Sequence, residues 1–260
     1  MIGNGQLFAK LIEPESLLLQ VVESYKDIWQ MYIEVEVKVY DPEAFFPLEE
    51  KYDEGTLPYE LTEKTYSQNM IWVRDEYTLI ETFDLEGNPL HSYIFETEIN
   101  QFSQNLQTKR LFTDEDVRFP HFIFYTKHIS VLKERLSALG VSTDQVKIKQ
   151  RDFSNVYQLG TETENILVDS NSFKVLEINR QIQISGRYYP SKITFAQWAK
   201  KKDRIPGVTQ FFIDSRLFKE IRIKNYQARG FYSKRRSFLK KYKSLIPVSK
   251  QFSLDCIYSQ

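Results

Sequence analysis

Cysteine, histidine and glycine are scarce in this chain of 260 residues, which holds one cysteine, Cys256, three histidines and nine glycines. A lone thiol excludes an internal disulfide and any disulfide scaffold. Nine glycines with nine prolines exclude collagen and low-complexity linkers. His91, His121 and His128, far from Cys256 in sequence, match no zinc-ligand spacing and read as ordinary solvent-facing or strand residues. There is no G-x-S-x-G elbow, no phosphate-binding G-x-x-x-x-G-K-[ST] loop and no G-x-G-x-x-G after a strand, so serine-hydrolase and nucleotide readings lose their support. Cys256 has no evident base to activate it. The carboxylate pairs Glu34 with Glu36 and Glu162 with Glu164 read as solvated surface, and Asp114, Glu115 and Asp116 as a helix N-terminus. A noncatalytic protein without cofactor or metal is the expectation. Long apolar runs are missing too: Leu17–Leu19 and Phe122–Tyr125 fall far short of the roughly 20 residues that span a bilayer. The opening Met1–Gln6 lacks the basic and apolar regions of a secretory signal, so the compartment has to be read from elsewhere.

What is present is charge and aromatic bulk. Lysine plus arginine balance aspartate plus glutamate at 35 each, but residues 1–100 carry 21 acids and 6 bases, whereas residues 201–260 carry 4 acids and 15 bases. The densest stretch sets Arg229, Lys234, Arg235, Arg236, Lys240, Lys241 and Lys243 together without an acid. Two readings stay open for it: docking on phosphate groups, whether of lipid heads or nucleic acid, or folding back on the acidic first hundred residues. The aromatics, 19 Phe, 16 Tyr and 3 Trp, exceed what a small two-layer core needs.

The pattern along the chain predicts a helix over 16–29, where Leu18, Val21, Val22, Tyr25, Ile28 and Trp29 share a face. Met31, Ile33, Val35, Val37 and Val39 then alternate with polar residues and predict a strand. The acidic segment Glu49–Glu60 reads as a loop. Strands follow at Met70–Arg74, Tyr77–Phe83 and Leu90–Glu98, with a turn around Gly87. Thr113 and Asp116 suggest a capped short helix, and a firmer helix is predicted over His128–Leu139 with Gly140 as its stop. From Gln145 to Asn225 strands and turns recur every 8 to 12 residues, one of the turns falling at Asn179 and Arg180. The fold class is therefore mainly β with helices (α+β): a curved antiparallel sheet or incomplete barrel of about eleven strands, with the helices on its concave face. The chain reads as a single domain over 1–260, with a core of about 15–231 and a basic extension at 232–260.

The order of these elements resembles a known family. A leading amphipathic helix, a first strand alternating Val and Glu, IWVRDEYTLIETFDLEGNPL at Ile71–Leu90, ILVDSNSFKVLEIN at Ile166–Asn179, GRYYPSKITF at Gly186–Phe195 and KEIRIKNYQ at Lys219–Gln227 are together similar to the outer-membrane lipoprotein carriers, the LolA-like and LolB-like proteins. The resemblance implies an incomplete barrel around helices, whose apolar cavity receives acyl chains of lipids or lipoproteins, in the periplasm or at the outer membrane, as a monomer and without a cofactor. It also implies a lid-latch role for Arg74, although the family's basic residue is followed by proline and Arg74 by Asp75. Strand parity puts Met31, Ile33, Val35, Val37, Ile182, Ile184, Ile193, Phe195, Ile221 and Ile223 on the cavity side. The basic run would then meet an anionic membrane surface or an envelope protein. The alternative is a nucleic-acid or protein interaction module built on Tyr226–Lys243, where aromatics interleave with bases. The acidic first hundred residues argue against a broad nucleic-acid surface.

Overall fold

A computed structural model describes residues 12–40, 65–74, 77–96, 103–105, 111–112, 120–184, 187–198 and 204–242. The acidic loop at Glu49–Glu60, the Thr113–Asp116 cap, Lys243 and Cys256 lie outside the described residues. The chain groups into two compact units. The first comprises Met1–Asp27, Tyr40–Glu50 and His121–Glu220, and the second Ile28–Val39, Lys51–Pro120 and Ile221–Gln260.

In the first unit, α1 (Pro14–Tyr25) begins with proline in its first turn, where the missing N–H is not needed, and buries Leu17, Leu18, Val21, Val22 and Tyr25 along one stripe. A 3-10 turn (Pro120–Phe124) leads to α2 (Ile129–Ala138), which buries Leu132 and Leu136 and stops at Gly140, whose φ is +81°. The two α-helices pack on each other, and Lys133 reaches Glu15 at 3.5 Å. A meander follows: β7 (Val146–Arg151), β8 (Ser154–Gly160), β9 (Asn165–Asp169), β10 (Val175–Ile184), β11 (Arg187–Ala196) and β12 (Val208–Ile213). The turn between β8 and β9 requires a glycine, because Gly160 sits at φ +110° and a Cβ there would lie 2.4 Å from the Glu164 carbonyl oxygen.

The second unit is built on β1 (Gln30–Val39), β2 (Thr65–Val73), β3 (Tyr77–Phe83) and β4 (Pro89–Glu96), followed by the short β5 (Ser103–Asn105) and β6 (Leu111–Phe112). β13 (Arg216–Gln227) crosses the boundary of the units between Glu220 and Ile221, and α3 (Tyr232–Tyr242) closes the described chain. The strands form one antiparallel sheet in the order β6-β5-β4-β3-β2-β1-β13-β12-β11-β10-β9-β8-β7. The order is linear, with β6 and β7 as edges, so the sheet is open rather than closed into a barrel. Eleven strands are of ordinary length and two are short, in keeping with the expected antiparallel sheet of about eleven.

Three expectations need correction. The first helix ends at Tyr25, not at residue 29, because Gln30 already pairs with Val73 and the Trp29 carbonyl accepts the Arg74 N–H at 2.9 Å. β10 runs unbroken through Asn179 and Arg180, where a turn was expected. The Asn179 side-chain amide is satisfied inside the sheet by Asn165 Oδ1 and Glu177 Oε1, each at 2.9 Å, and does not compete for backbone. α3 occupies sequence that reads as a basic extension.

Candidate functional site

Alternation along β1 gives the second unit two chemically different faces. On one, Met31, Ile33, Val35 and Val37 are buried and stand opposite Trp72, Met70, Gln68 and Tyr66 of β2. Met70 in turn faces Ile80. The polar exceptions, Gln68 and Thr82, satisfy each other through Gln68 Nε2 donating to Thr82 Oγ1 at 3.2 Å. These apolar positions are the ones parity assigns to a cavity. Ile221 is buried as well, whereas Ile223 is half-buried.

The other face carries Tyr32, Glu34 and Glu36 from β1, Asn69 and Ile71 from β2, and Glu81 and Phe83 from β3. The register sets Glu34 beside Asn69 and Asn69 beside Glu81, a row across three strands. α3 lies on this row. Lys234 Nζ donates to Glu34 Oε1 at 2.9 Å and sits 3.8 Å from the centre of the Tyr32 ring, and Lys241 Nζ donates to Glu81 Oε1 at 2.8 Å. The fit is geometric: seven helical residues advance about 10.5 Å, and two strand spacings are about 9.6 Å. A helix crossing the strands therefore brings both lysines onto carboxylates at once. Among the described side chains of α3 and its approach, Phe231, Arg235 and Phe238 are buried. Lys234 holds the Glu34 carboxyl below its usual range, with help from the Tyr32 hydroxyl and Asn225, and Lys224 does the same for Glu36. The Tyr32 hydroxyl is pushed up, first by burial and then by its bond to Glu34.

The basic residues thus divide. Lys234 and Lys241 are engaged with acids of the first hundred residues, Arg235 is buried, and Arg229, Arg236 and Lys240 are exposed. Arg74 is buried at the end of β2, and its guanidinium donates to the Ile28 carbonyl, so it ties the end of β2 to the entry into β1.

In the first unit, register brings Ile182, Ile184, Ile193 and Phe195 to one side of β10 and β11, with Ile178 opposite Ile193. Ile193 and Phe195 are buried and Ile182 is half-buried, and the side chain of Ile184 lies outside the described residues. Phe195 meets an aromatic cluster. Its ring is 4.6 Å, edge-on, from His121 and 6.3 Å from Phe124. His121, expected at a solvent-facing or strand position, is fully buried in the 3-10 turn. Its environment is a directional chain of hydrogen bonds. The Val175 N–H donates to the Tyr25 hydroxyl at 3.1 Å, which lies 3.3 Å from His121 Nε2. His121 Nδ1 is 2.7 Å from the Tyr125 hydroxyl, which donates to the Arg204 carbonyl at 3.1 Å. Because the Tyr125 proton is spent on Arg204, Nδ1 must be the protonated nitrogen and Nε2 the acceptor, a neutral imidazole. Burial, seconded by Lys174, holds the histidine well below its ordinary pKa. Little in the local sequence announces this site; its bonds join Tyr25 to His121, His121 to Tyr125 and Tyr125 to Arg204 across 96, 4 and 79 residues.

Among the described residues, no three His, Cys, Asp or Glu side chains converge as metal ligands, and no helix is long and apolar enough to cross a membrane. No family model and no curated protein matches the sequence. Solved structures do. A LolA superfamily protein from Nitrosomonas europaea matches with a TM-score of 0.50 over 86% of this chain and 97% of that one, at 9% identity. A putative outer membrane lipoprotein-sorting protein domain from Vibrio parahaemolyticus matches with a TM-score of 0.47 over 83% of this chain and 91% of that one, also at 9% identity. At such identity the likeness is one of fold, and the open antiparallel sheet with its packed helices is similar to that of the LolA superfamily.

Proposed function

We propose that the protein is a noncatalytic carrier or binder of lipid or lipoprotein acyl chains in the bacterial cell envelope, in the periplasm or at the outer membrane. The observation that carries this reading is the mostly apolar side of β1 and β2, Met31, Ile33, Val35 and Val37 with Met70 and Trp72, interrupted by Gln68, on a sheet of the LolA superfamily type. An acyl chain needs apolar contact and no specific polar chemistry, and this face offers the first and holds no titratable group among the residues just named. In this reading Ile221 and Ile223 of the second unit, and separately Ile182, Ile184, Ile193 and Phe195 of the first, are further candidates for chain contact, and Arg74 fixes the entry of β1. The exposed Arg229, Arg236 and Lys240 supply the attraction to an anionic membrane, each worth on the order of 1 kcal/mol near the lipids.

Native mass spectrometry of the purified protein tests the reading, with bound lipid as the expected result. Protein that emerges free of lipid and takes none up from phosphatidylglycerol vesicles would refute it. Reversing Arg236 and Lys240 to glutamate should reduce cosedimentation with those vesicles while leaving any copurified lipid in place. The engagement of Lys234 and Lys241 with Glu34 and Glu81 weakens the nucleic-acid alternative, because it withdraws two of its cations.

A further inference from the structure

Beneath α3, on the side of the second unit's sheet opposite Met31, Val35 and Trp72, a groove of about 440 Å³ opens, which falls within the range of small-ligand sites. Its walls mix apolar and polar groups: Tyr32 and Ile71 from neighbouring strands and Phe238 from the helix are buried, Phe83 is half-buried beside them, and Asn69 and Glu81 share the sheet side. Its rim is polar and reachable, with Lys234 and Lys241 at positions seven apart and the exposed Ser233 and Ser237 of the same helix. The charge divides by element: the sheet side contributes Glu81, and the helix side is basic. Arg229 to Tyr242 holds six bases and no acid, and Arg236 and Lys240, one turn apart, are exposed.

We propose that this groove is a second binding site, one that takes a single-chain anionic amphiphile with its chain on Tyr32, Ile71, Phe83 and Phe238 and its head group at Lys241. The volume sits near the low end of the ligand range, which favours one chain over two. The chain gains by taking its own apolar surface out of water in the groove. The head group is selected by charge: Lys241 is the more exposed of the two lysines, its side chain 51% accessible, so an anion can approach it from solvent. Glu81 keeps Lys241 over the groove mouth while the site is empty, and the ammonium can serve the carboxylate and an incoming anion together. The site is distinct from the apolar side invoked for the carrier function, since residues 71 and 72 of β2 point to opposite faces.

The two faces can be told apart by fluorescence. Trp72 is a native reporter of the first face, and Phe83→Trp places one in the groove, with Ser237→Trp as a second groove reporter should the first fail to fold. The probe is lysophosphatidylglycerol with a brominated chain, with the equally brominated lysophosphatidylcholine, whose zwitterionic head has no net charge, as the control. The expected result is saturable quenching in Phe83→Trp beyond that of the wild type, several-fold tighter for the anionic probe, with Lys241→Gln removing the difference between the two. Quenching confined to the indoles shared with the wild type would overturn the groove and leave the carrier reading standing. Quenching of the groove indole without lipid uptake at the Trp72 face would do the reverse. Equal affinity for the two probes would overturn the assignment of Lys241 as the head-group residue.

Discussion

Replacing His121 by phenylalanine should cost stability at neutral pH and cost progressively less as the solution is acidified. The imidazole is fully buried, and its two nitrogens stand between the hydroxyls of Tyr25 and Tyr125. Phenylalanine keeps the bulk of the ring but leaves the Tyr25 proton without its acceptor and the Tyr125 oxygen without its donor. The Tyr25 oxygen keeps the Val175 N–H, and the Tyr125 proton keeps the Arg204 carbonyl. The loss at pH 7 is therefore about 1–3 kcal/mol, the cost of one or two buried groups deprived of a partner. Acidification acts on the wild type alone. The histidine pKa is lowered in the folded state, from an ordinary value of 6.5, so below pH 6.5 the unfolded chain binds a proton that the folded one refuses. The stabilising contribution of the neutral imidazole is present above the unfolded pKa and declines by about 1.4 kcal/mol for each pH unit below it. Between pH 7 and pH 5 the wild type loses up to about 2 kcal/mol from this source, and the variant loses none of it. The charged group that faces the ring, Lys174, is common to both proteins and drops out of the difference. Urea unfolding of wild type and His121→Phe at half-unit intervals from pH 7.5 to pH 5 measures the gap. Two parallel stability curves would refute the reasoning, because they would mean that the buried imidazole accepts its proton as readily in the folded protein as in the unfolded chain.

Three further outcomes follow from particular residues. A double-mutant cycle on Lys241→Met and Glu81→Gln should give a coupling of about 0.5–1 kcal/mol in low salt, because one partner is largely shielded and the other exposed, and the coupling should shrink as salt is raised. Phe153→Gly should raise the melting temperature by about 2–4 °C, since Asp152 and Phe153 occupy a hairpin turn at φ +47° and +64° where Asp-Gly is favoured, and the fully exposed ring gives up no packing. A melting temperature unchanged or lowered by that substitution would show that the ring has a partner. Gly160→Ala should destabilise by more than about 1 kcal/mol in chemical denaturation, as the new methyl meets the Glu164 carbonyl at 2.4 Å in a backbone conformation that disfavours it.

The parts of the fold that local pattern controls were legible from the residues. Period-two alternation over Met31–Val39 predicts β1 because one face must be buried and a one-residue slip would expose all of it. Helical spacing over Leu18–Tyr25 predicts α1 for the same reason, and overruns it at Ile28 and Trp29, where the hydrogen bonds of the β1–β2 ladder outcompete another helical turn. Elements held by distant partners were not legible. Among its described side chains Tyr232–Tyr242 offers one strongly apolar buried residue, Phe238, and the helix is paired with Glu34 and Glu81, 200 and 160 residues away. Asn179 and Arg180 look like a turn until Asn165 supplies a cross-strand partner. His121 gives no local sign of burial, since its hydroxyl partners belong to α1 and to Tyr125, just past the 3-10 turn.

The charge gradient of the sequence finds its physical meaning in the second unit. An acidic first half and a basic end, far apart along the chain, meet where the row Glu34, Asn69, Glu81 receives Lys234 and Lys241. Exposed ion pairs contribute little each, so the contact is better suited to setting the place and direction of α3 than to the bulk of its stability, which comes from burying Phe231 and Phe238. That division has a functional consequence. Because the lysines that fix the helix are engaged with Glu34 and Glu81, Arg229, Arg236 and Lys240 are the exposed cations outside those pairs among the described residues of the basic run, and the proposed membrane attraction is best tested on those three. Lysine-to-glutamine changes at 234 and 241 should instead loosen the helix and leave the exposed charges in place, so comparing the two sets by hydrogen exchange on α3 and by vesicle cosedimentation separates the structural role of the basic run from its docking role.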